Sequence, residues 1–339
     1  MPAPTSYPPG MQIDHYTIIR TLGQGLANRV YLAHDLTNRQ QVILKCPRED
    51  IIGGAAIFEA NRQEAKIGKL LHHPSLQGLL NQDEQRRGPY LVFEYIPGQM
   101  LRTVLREHPH SSLPMEEIVS LLLPICSVLI YAHAHGVIHR DVKPENILLG
   151  DDGSVRLLDF GISLCKEKGP RPQRKGRGLR LRLPFADVVG TPSYMPPERL
   201  RGEEGDERSD IYAVGVVLYE MVCGHTPFED ADGFTIIDRQ LAFDPPDILR
   251  LNPTISPALA TVIMRAIRRN PDKRYASMQD LFDDLSNLDK VTPEDYVPDR
   301  PLFGGRFRRA LQISLIIFLI LGALIAFGFL VQLLQHPAG

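Results

Sequence analysis

The distribution of apolar residues changes character about a third of the way along the chain. Before residue 100 it comes in short runs of strand-forming residues. These predict strands over 16–31, interrupted by a turn at Gly23 and Gly25, and again at 41–45 and 90–95. Between the last two, Phe58, Ile67, Leu70 and Leu71 sit at helical spacing with charges among them, which predicts a helix over 58–71. Pro97-Gly98 breaks the pattern. From Met115 onward the spacing is helical, over 116–135, 209–223, 258–269 and 278–288. Strands first and helices second predict an α+β chain of two unlike lobes, joined near Glu94 to Gly98.

The ends read differently. Residues 1–15 are expected to be disordered, and the Pro-rich start lacks the apolar run of a signal peptide. Residues 289–310, with Pro293, Pro298, Pro301, Gly304 and Gly305, read as a linker. Residues 311–334 then carry no charge; at about 1.5 Å per residue they reach about 36 Å, enough for a hydrocarbon layer of about 30 Å. Arg306, Arg308 and Arg309 precede this stretch and 335–339 are an uncharged tail. The bias predicts a single-pass, tail-anchored protein of the cell membrane, its large N-terminal part in the cytoplasm. Gly322 and Ala326, small residues four apart, would let two such helices approach as a homodimer.

Composition narrows the class further. With 339 residues, 43% hydrophobic, 23% charged and a net charge of −2, the chain is globular and is not expected to bind nucleic acid through bulk charge. Cys46, Cys126, Cys165 and Cys223 are scattered with no Cys-x-x-Cys pair, which fits a reducing compartment better than a disulfide or zinc framework.

The chemistry is carried by short motifs. In Leu22-Gly23-Gln24-Gly25-Leu26-Ala27-Asn28-Arg29-Val30 the glycines let backbone amides approach phosphate oxygens. Lys45 ends an apolar strand fifteen residues after Val30, where a buried ammonium needs a partner; Glu64 on the following helix is the natural one. Residues 137–147, Val-Ile-His-Arg-Asp-Val-Lys-Pro-Glu-Asn-Ile, are followed by Asp159-Phe160-Gly161. Phosphoryl transfer asks for a carboxylate to orient a hydroxyl, an Asn and an Asp to hold magnesium, and cations against the developing charge. Asp141, Asn146, Asp159, Lys143 and Lys45 are such a set.

With Gly190-Thr-Pro-Ser-Tyr-Met-Pro-Pro-Glu198, Ser209-Asp210-Ile211-Tyr212 and Arg274, these blocks make residues 16–288 resemble the eukaryotic-type (Hanks-type) protein kinases, in particular the membrane-attached Ser/Thr kinases of bacteria. The resemblance implies a bilobal kinase fold, with a β-rich N-lobe over about 16–95, a helical C-lobe over about 98–288 and the C-terminal transmembrane helix beyond. It implies transfer of the ATP γ-phosphate to Ser/Thr hydroxyls of protein substrates. Asp141 would be the catalytic carboxylate and Lys143 would contact the γ-phosphate. Asn146 and Asp159 would bind Mg2+, with Mn2+ as a substitute. Leu22, Gly23, Gly25, Val30, Lys45, Glu64 and Leu148 would enclose ATP. Glu94 and Ile96 would read the adenine edge beside a gatekeeper, Phe93. Thr191 would belong to the activation segment, Asp210 would anchor the catalytic loop, and Glu198 with Arg274 would form a structural ion pair. His139 reads as scaffold; His133 and His135 read as serving their helix and its end. Glu145 reads either as a solvated charge or as a contact for basic substrate residues.

Three positions depart from the family pattern. Asn28 replaces the third loop glycine, where its tolerance of left-handed backbone would preserve the turn. Ile43 replaces the usual Ala of the adenine roof and would narrow the pocket. No Ser, Thr or Tyr lies between Ser163 and Thr191, whereas 166–182 hold eight Lys or Arg. The expectation is a kinase not switched on by phosphate within that insert, which phosphatase treatment tests, with the insert engaging acidic substrates or anionic lipid instead. Asn28 and Ile43 also support the alternative, a catalytically weak kinase-like membrane scaffold.

Overall fold

In the computed structural model, residues 6–25, 28–48, 54–80, 89–108, 113–160, 163–165, 192–229 and 233–293 are described. The chain opens with an antiparallel sheet in sequence order: β1 (Gln12–Ile13), β2 (Tyr16–Gln24), β3 (Asn28–Asp35), β4 (Gln41–Pro47) and β5 (Leu91–Glu94). Helix α1 (Gly54–Leu70) lies between β4 and β5 in sequence and begins four residues earlier than its spacing predicts. Both faces of the sheet are covered. Val42, Leu44 and Cys46 pack with Tyr16, Ile18, Tyr31 and Tyr90 on one side, and Ile43 packs with Leu32, Leu91 and Phe93 on the other. Because strand side chains alternate, Lys45 shares the face of Ile43.

The expectation of disorder through residue 15 is corrected. Tyr7 N donates to Tyr31 Oη at 3.2 Å, and Gly10 and Met11 bracket Ile18 through backbone bonds of 2.8 and 2.9 Å. Tyr7 and Ile13 cover the outer apolar face, which gives an otherwise polar segment something to bury.

The second lobe contains β6 (Gly98–Met100), α2 (Leu101–Glu107), α3 (Met115–Ala134), β7 (Val137–Ile138), β8 (Ile147–Gly150), β9 (Val155–Leu157) and β10 (Leu164–Cys165). It continues through α4 (Pro197–Leu200), α5 (Arg208–Cys223), α6 (Gly233–Ala242), α7 (Ile248–Leu251), α8 (Pro257–Ala266) and α9 (Met278–Ser286). Helix α5 is buried from Ser209 to Val222, as a helix enclosed on all sides must be. A Cβ at Gly215 would stand 2.7 Å from Ala266 Cβ and Ile267 Cγ2, so α8 approaches α5 this closely only over a glycine. Helix α3 is apolar and long enough to cross a membrane, yet Leu122, Ile125, Cys126, Leu129 and Ala132 are completely enclosed in this core.

Residues 75–80 tie the lobes together. Leu157 N bonds Ser75 O at 2.8 Å, while Leu80 N and Glu94 N bond Val92 O and Gly78 O at 2.8 and 3.0 Å. The loop tip Leu26-Ala27, Gly161, the basic insert 166–182, Thr191, the linker beyond residue 293, the apolar stretch 311–334 and the tail lie outside the described residues.

Candidate active site

The β2–β3 hairpin carries the Gly-rich turn. Gly25 N donates to Asn28 O at 2.8 Å across the turn. Neither Gly23 nor Gly25 has a positive φ. Among the described residues an added Cβ meets nothing at Gly23, and at Gly25 only Asn28 O at 3.5 Å. Glycine is therefore not required here by the chain's own packing; its small size leaves room over the backbone for a ligand. Asn28 is a strand residue without positive φ, so left-handed tolerance is not the reason it fits.

Lys45 is buried and bridges two carboxylates, Glu64 Oε1 and Asp159 Oδ1, each at 2.7 Å. Burial alone would lower its pKa; the charges of Glu64 and Asp159 outweigh burial and hold Lys45 above the ordinary lysine range, firmly protonated. Burial pushes Glu64 up to about 7, against the pull of Lys45 and with a further push from Asp159. Val30 stands opposite Lys45 in the β3–β4 register, and Leu148 on β8 is buried. Ile43 is paired with Phe93 and packs within the sheet's inner cluster. Glu94 ends β5, its carbonyl accepting from Gln77 Nε2 at 2.9 Å and its Oε1 from Gly78 N at 2.8 Å. A carbonyl oxygen has a second lone pair, so Gln77 leaves Glu94 O able to accept once more. Ile96 follows in the connection to β6.

On the facing lobe, the loop between β7 and β8 holds Asp141 with two side chains. Lys143 Nζ lies 2.9 and 2.8 Å from its two carboxylate oxygens, and Asn146 Nδ2 donates to both Oδ2 and the main-chain oxygen, at 2.9 and 2.8 Å. Asn146 O accepts from Leu158 N at 2.8 Å, which sets the residue before Asp159 beside Asn146. With its amide hydrogens engaged by Asp141, Asn146 has its side-chain oxygen to offer a cation. Among the described residues no cluster of three His, Cys, Asp or Glu could hold a metal ion. An Asn–Asp pair of oxygen donors fits Mg2+, which keeps waters and takes phosphate oxygens for its remaining positions.

His139 is fully enclosed. Its Nδ1 accepts from Asp141 N at 3.2 Å, so Nε2 donates to Leu158 O at 3.0 Å, with Phe160 edge-on at 4.5 Å. That is a scaffolding arrangement. Arg140 and Asp159 both adopt left-handed φ, of 71° and 61°. Arg140 Nη2 donates to Glu204 O at 2.7 Å, and burial, then the neighbouring Arg199, pushes Arg140 down to about 10.

Three contacts were not legible in the sequence. His133, read as serving its own helix, reaches Asp210 Oδ2 at 2.8 Å. Glu145, read as solvated or substrate-facing, pairs with Arg102 Nε at 2.7 Å, and Arg102 Nη1 bonds Glu220 at 2.5 Å. Asn61 Nδ2 donates to Asn28 Oδ1 at 3.1 Å. Only the last had a signal available, since Asn61 lies three residues before Glu64 on one helix face.

The description "Protein kinase domain" belongs to a family whose pattern matches residues 16–284. The chain is similar to serine/threonine-protein kinase PknB of Mycolicibacterium smegmatis, 31% identical over 292 residues, covering 85% of this chain and 44% of the relative. It is similar to serine/threonine-protein kinase PknD of Chlamydia felis, 35% identical, covering 83% and 32%. A third relative is serine/threonine-protein kinase pkn3 of Myxococcus xanthus, 35% identical, covering 81% and 50%. The chain thus spans between a third and a half of the length of these relatives.

Proposed function

Since the chain belongs to the protein kinase family, we propose that it transfers the γ-phosphate of ATP to Ser or Thr hydroxyls of protein substrates. One observation carries the reading: Lys45 bridges Glu64 and Asp159 while Asn146 and Lys143 grip Asp141. The two halves of a phosphoryl-transfer site thereby face each other across one cleft. Asp141 orients the substrate hydroxyl and accepts its proton, while Lys143 and Lys45 offset charge on the phosphates. Asn146 and Asp159 are the residues that would hold Mg2+ or Mn2+, which would neutralise the triphosphate. Gly23 and Gly25 admit the phosphates, and Leu22, Val30 and Leu148 enclose the base read by the backbone at Glu94 and Ile96. The sequence pairing of Lys143 with Thr191 supports Ser/Thr over Tyr transfer. The uncharged stretch 311–334 and the arginines before it support a single span with the kinase domain in the cytoplasm.

The full-length chain with labelled ATP and Mg2+ is expected to incorporate phosphate into itself or a general protein substrate. In Asp141→Asn incorporation falls about 100-fold or more while nucleotide binding persists. A wild type that incorporates nothing with either metal, or a variant that matches it, overturns the reading and favours the scaffold.

A further inference from the structure

The residue at the third glycine position has a partner that a glycine would lack. Asn28 stands at the start of β3, half-buried, and its Oδ1 accepts from Asn61 Nδ2 on α1 at 3.1 Å. Asn61 is itself buried. Three residues on, the same face of α1 presents Glu64, which holds Lys45 at 2.7 Å. The turn is also fixed at its other end: Gly25 N donates to Asn28 O at 2.8 Å, and Arg48 Nη1 donates to Gly25 O at 3.2 Å.

We propose that Asn28 is a positioning residue, whose bond to Asn61 latches the start of β3 to α1 so that the β2–β3 hairpin and the Lys45 ammonium meet a triphosphate as one preset unit. This deepens the kinase reading and rests on it. A glycine at this position leaves the hairpin free to move relative to α1; the asparagine exchanges that freedom for registration. Helix α1 is then joined to the sheet by two polar links on one face, one to the start of β3 and one to the strand lysine. Disturbing either link displaces the other. The departure from the family pattern is in this sense a compensated one.

The test is a double-mutant cycle in the full-length chain, Asn28→Ala, Asn61→Ala and both together, with Asn28→Gly alongside. A neutral hydrogen bond is worth about a two- to tenfold change in an equilibrium. Each single variant is expected to raise the KM for ATP by about five-fold with kcat changed less than two-fold, and the double variant to be no worse than either single. Asn28→Gly should behave like Asn28→Ala. Single effects that multiply in the double variant, or an Asn28→Gly with wild-type KM, overturn the latch. Asn61→Ser substitutes where Asn61→Ala does not fold, and Asn28 variants, at the edge of a hairpin, report on their own. Affinity for ATP–Mg2+ by titration gives the same cycle without turnover. A wild type that binds but never transfers phosphate therefore sinks the kinase reading and leaves the latch still decided by its own non-additivity.

Discussion

Asp210 accepts three hydrogen bonds in a site closed to solvent: from His133 Nε2 at 2.8 Å, His139 N at 2.9 Å and Arg140 N at 2.8 Å. The last two fix the backbone of the loop that presents Asp141, and they hold Arg140 at its left-handed φ of 71°. Burial by itself would raise the Asp210 pKa. The His133 bond and charge, with the Arg140 amide, carry it below its ordinary 3.8. For a carboxyl depressed by folding, the stabilisation is complete above the unfolded value and is lost as pH falls through the folded one. Asp210→Asn replaces one acceptor by a donor aimed at donors. Expected are a loss of at least about 3 kcal/mol in urea unfolding, a drop in kcat of about 100-fold from the misplaced loop, and a flatter stability profile below about pH 4. A variant with wild-type kcat would disconnect Asp210 from the catalytic loop.

At the level of elements, α4 is too short to hold itself and is fastened by its charge. Glu198 accepts from Arg274 Nη1 and Nη2, both at 2.8 Å, and from Ser209 Oγ at 3.2 Å. Arg274 also donates to Arg268 O at 2.7 Å and lies over the Tyr212 ring at 4.8 Å. The pair joins α4, α5 and the turn before α9 with both side chains buried. Glu198→Ala leaves the guanidinium enclosed without its carboxylate, and roughly 3–5 kcal/mol of stability should go with it. Chemical unfolding measures this; a loss below about 1 kcal/mol would show that α4 is held by apolar packing instead. Long periodic elements were legible beforehand: the helices predicted over 116–135 and 209–223 are Met115–Ala134 and Arg208–Cys223. Helix α2 and the two- to four-residue strands β6 to β10 were not, since so few residues define no period.

For the molecule as a whole, the strand-then-helix order produces a sheet packed on both faces and a large helical core, bridged by residues 75–80 and by the connection after Glu94. The groups proposed for phosphoryl transfer come from β4, α1, the β7–β8 loop and Asp159, and they are paired across up to 114 positions of sequence, as Lys45 and Asp159 are. Because the proposed anchor and the proposed transfer site use different residues, deleting residues 311–334 should move the protein from the membrane to the soluble fraction and leave peptide phosphorylation within about two-fold. Retention in the membrane fraction, or collapse of soluble activity, would deny that separation.

The sequence by itself determined the lobes, because strand and helix periods differ, and it supplied the groups proposed for phosphoryl transfer, because that chemistry accepts few residue types at those spacings. Neighbours along the chain also announced Lys45 with Glu64, since a buried ammonium demands a carboxylate. Only the tertiary structure decided that Arg102 occupies Glu145, that His133 serves Asp210, that Tyr7 seals the outer sheet and that Asn28 reaches Asn61. Each of these is a pairing of separate elements. Hydrogen bonds and ion pairs depend on distances of about 3 Å, and no local pattern of residues encodes such a distance until the packing of the core has fixed where each element lies.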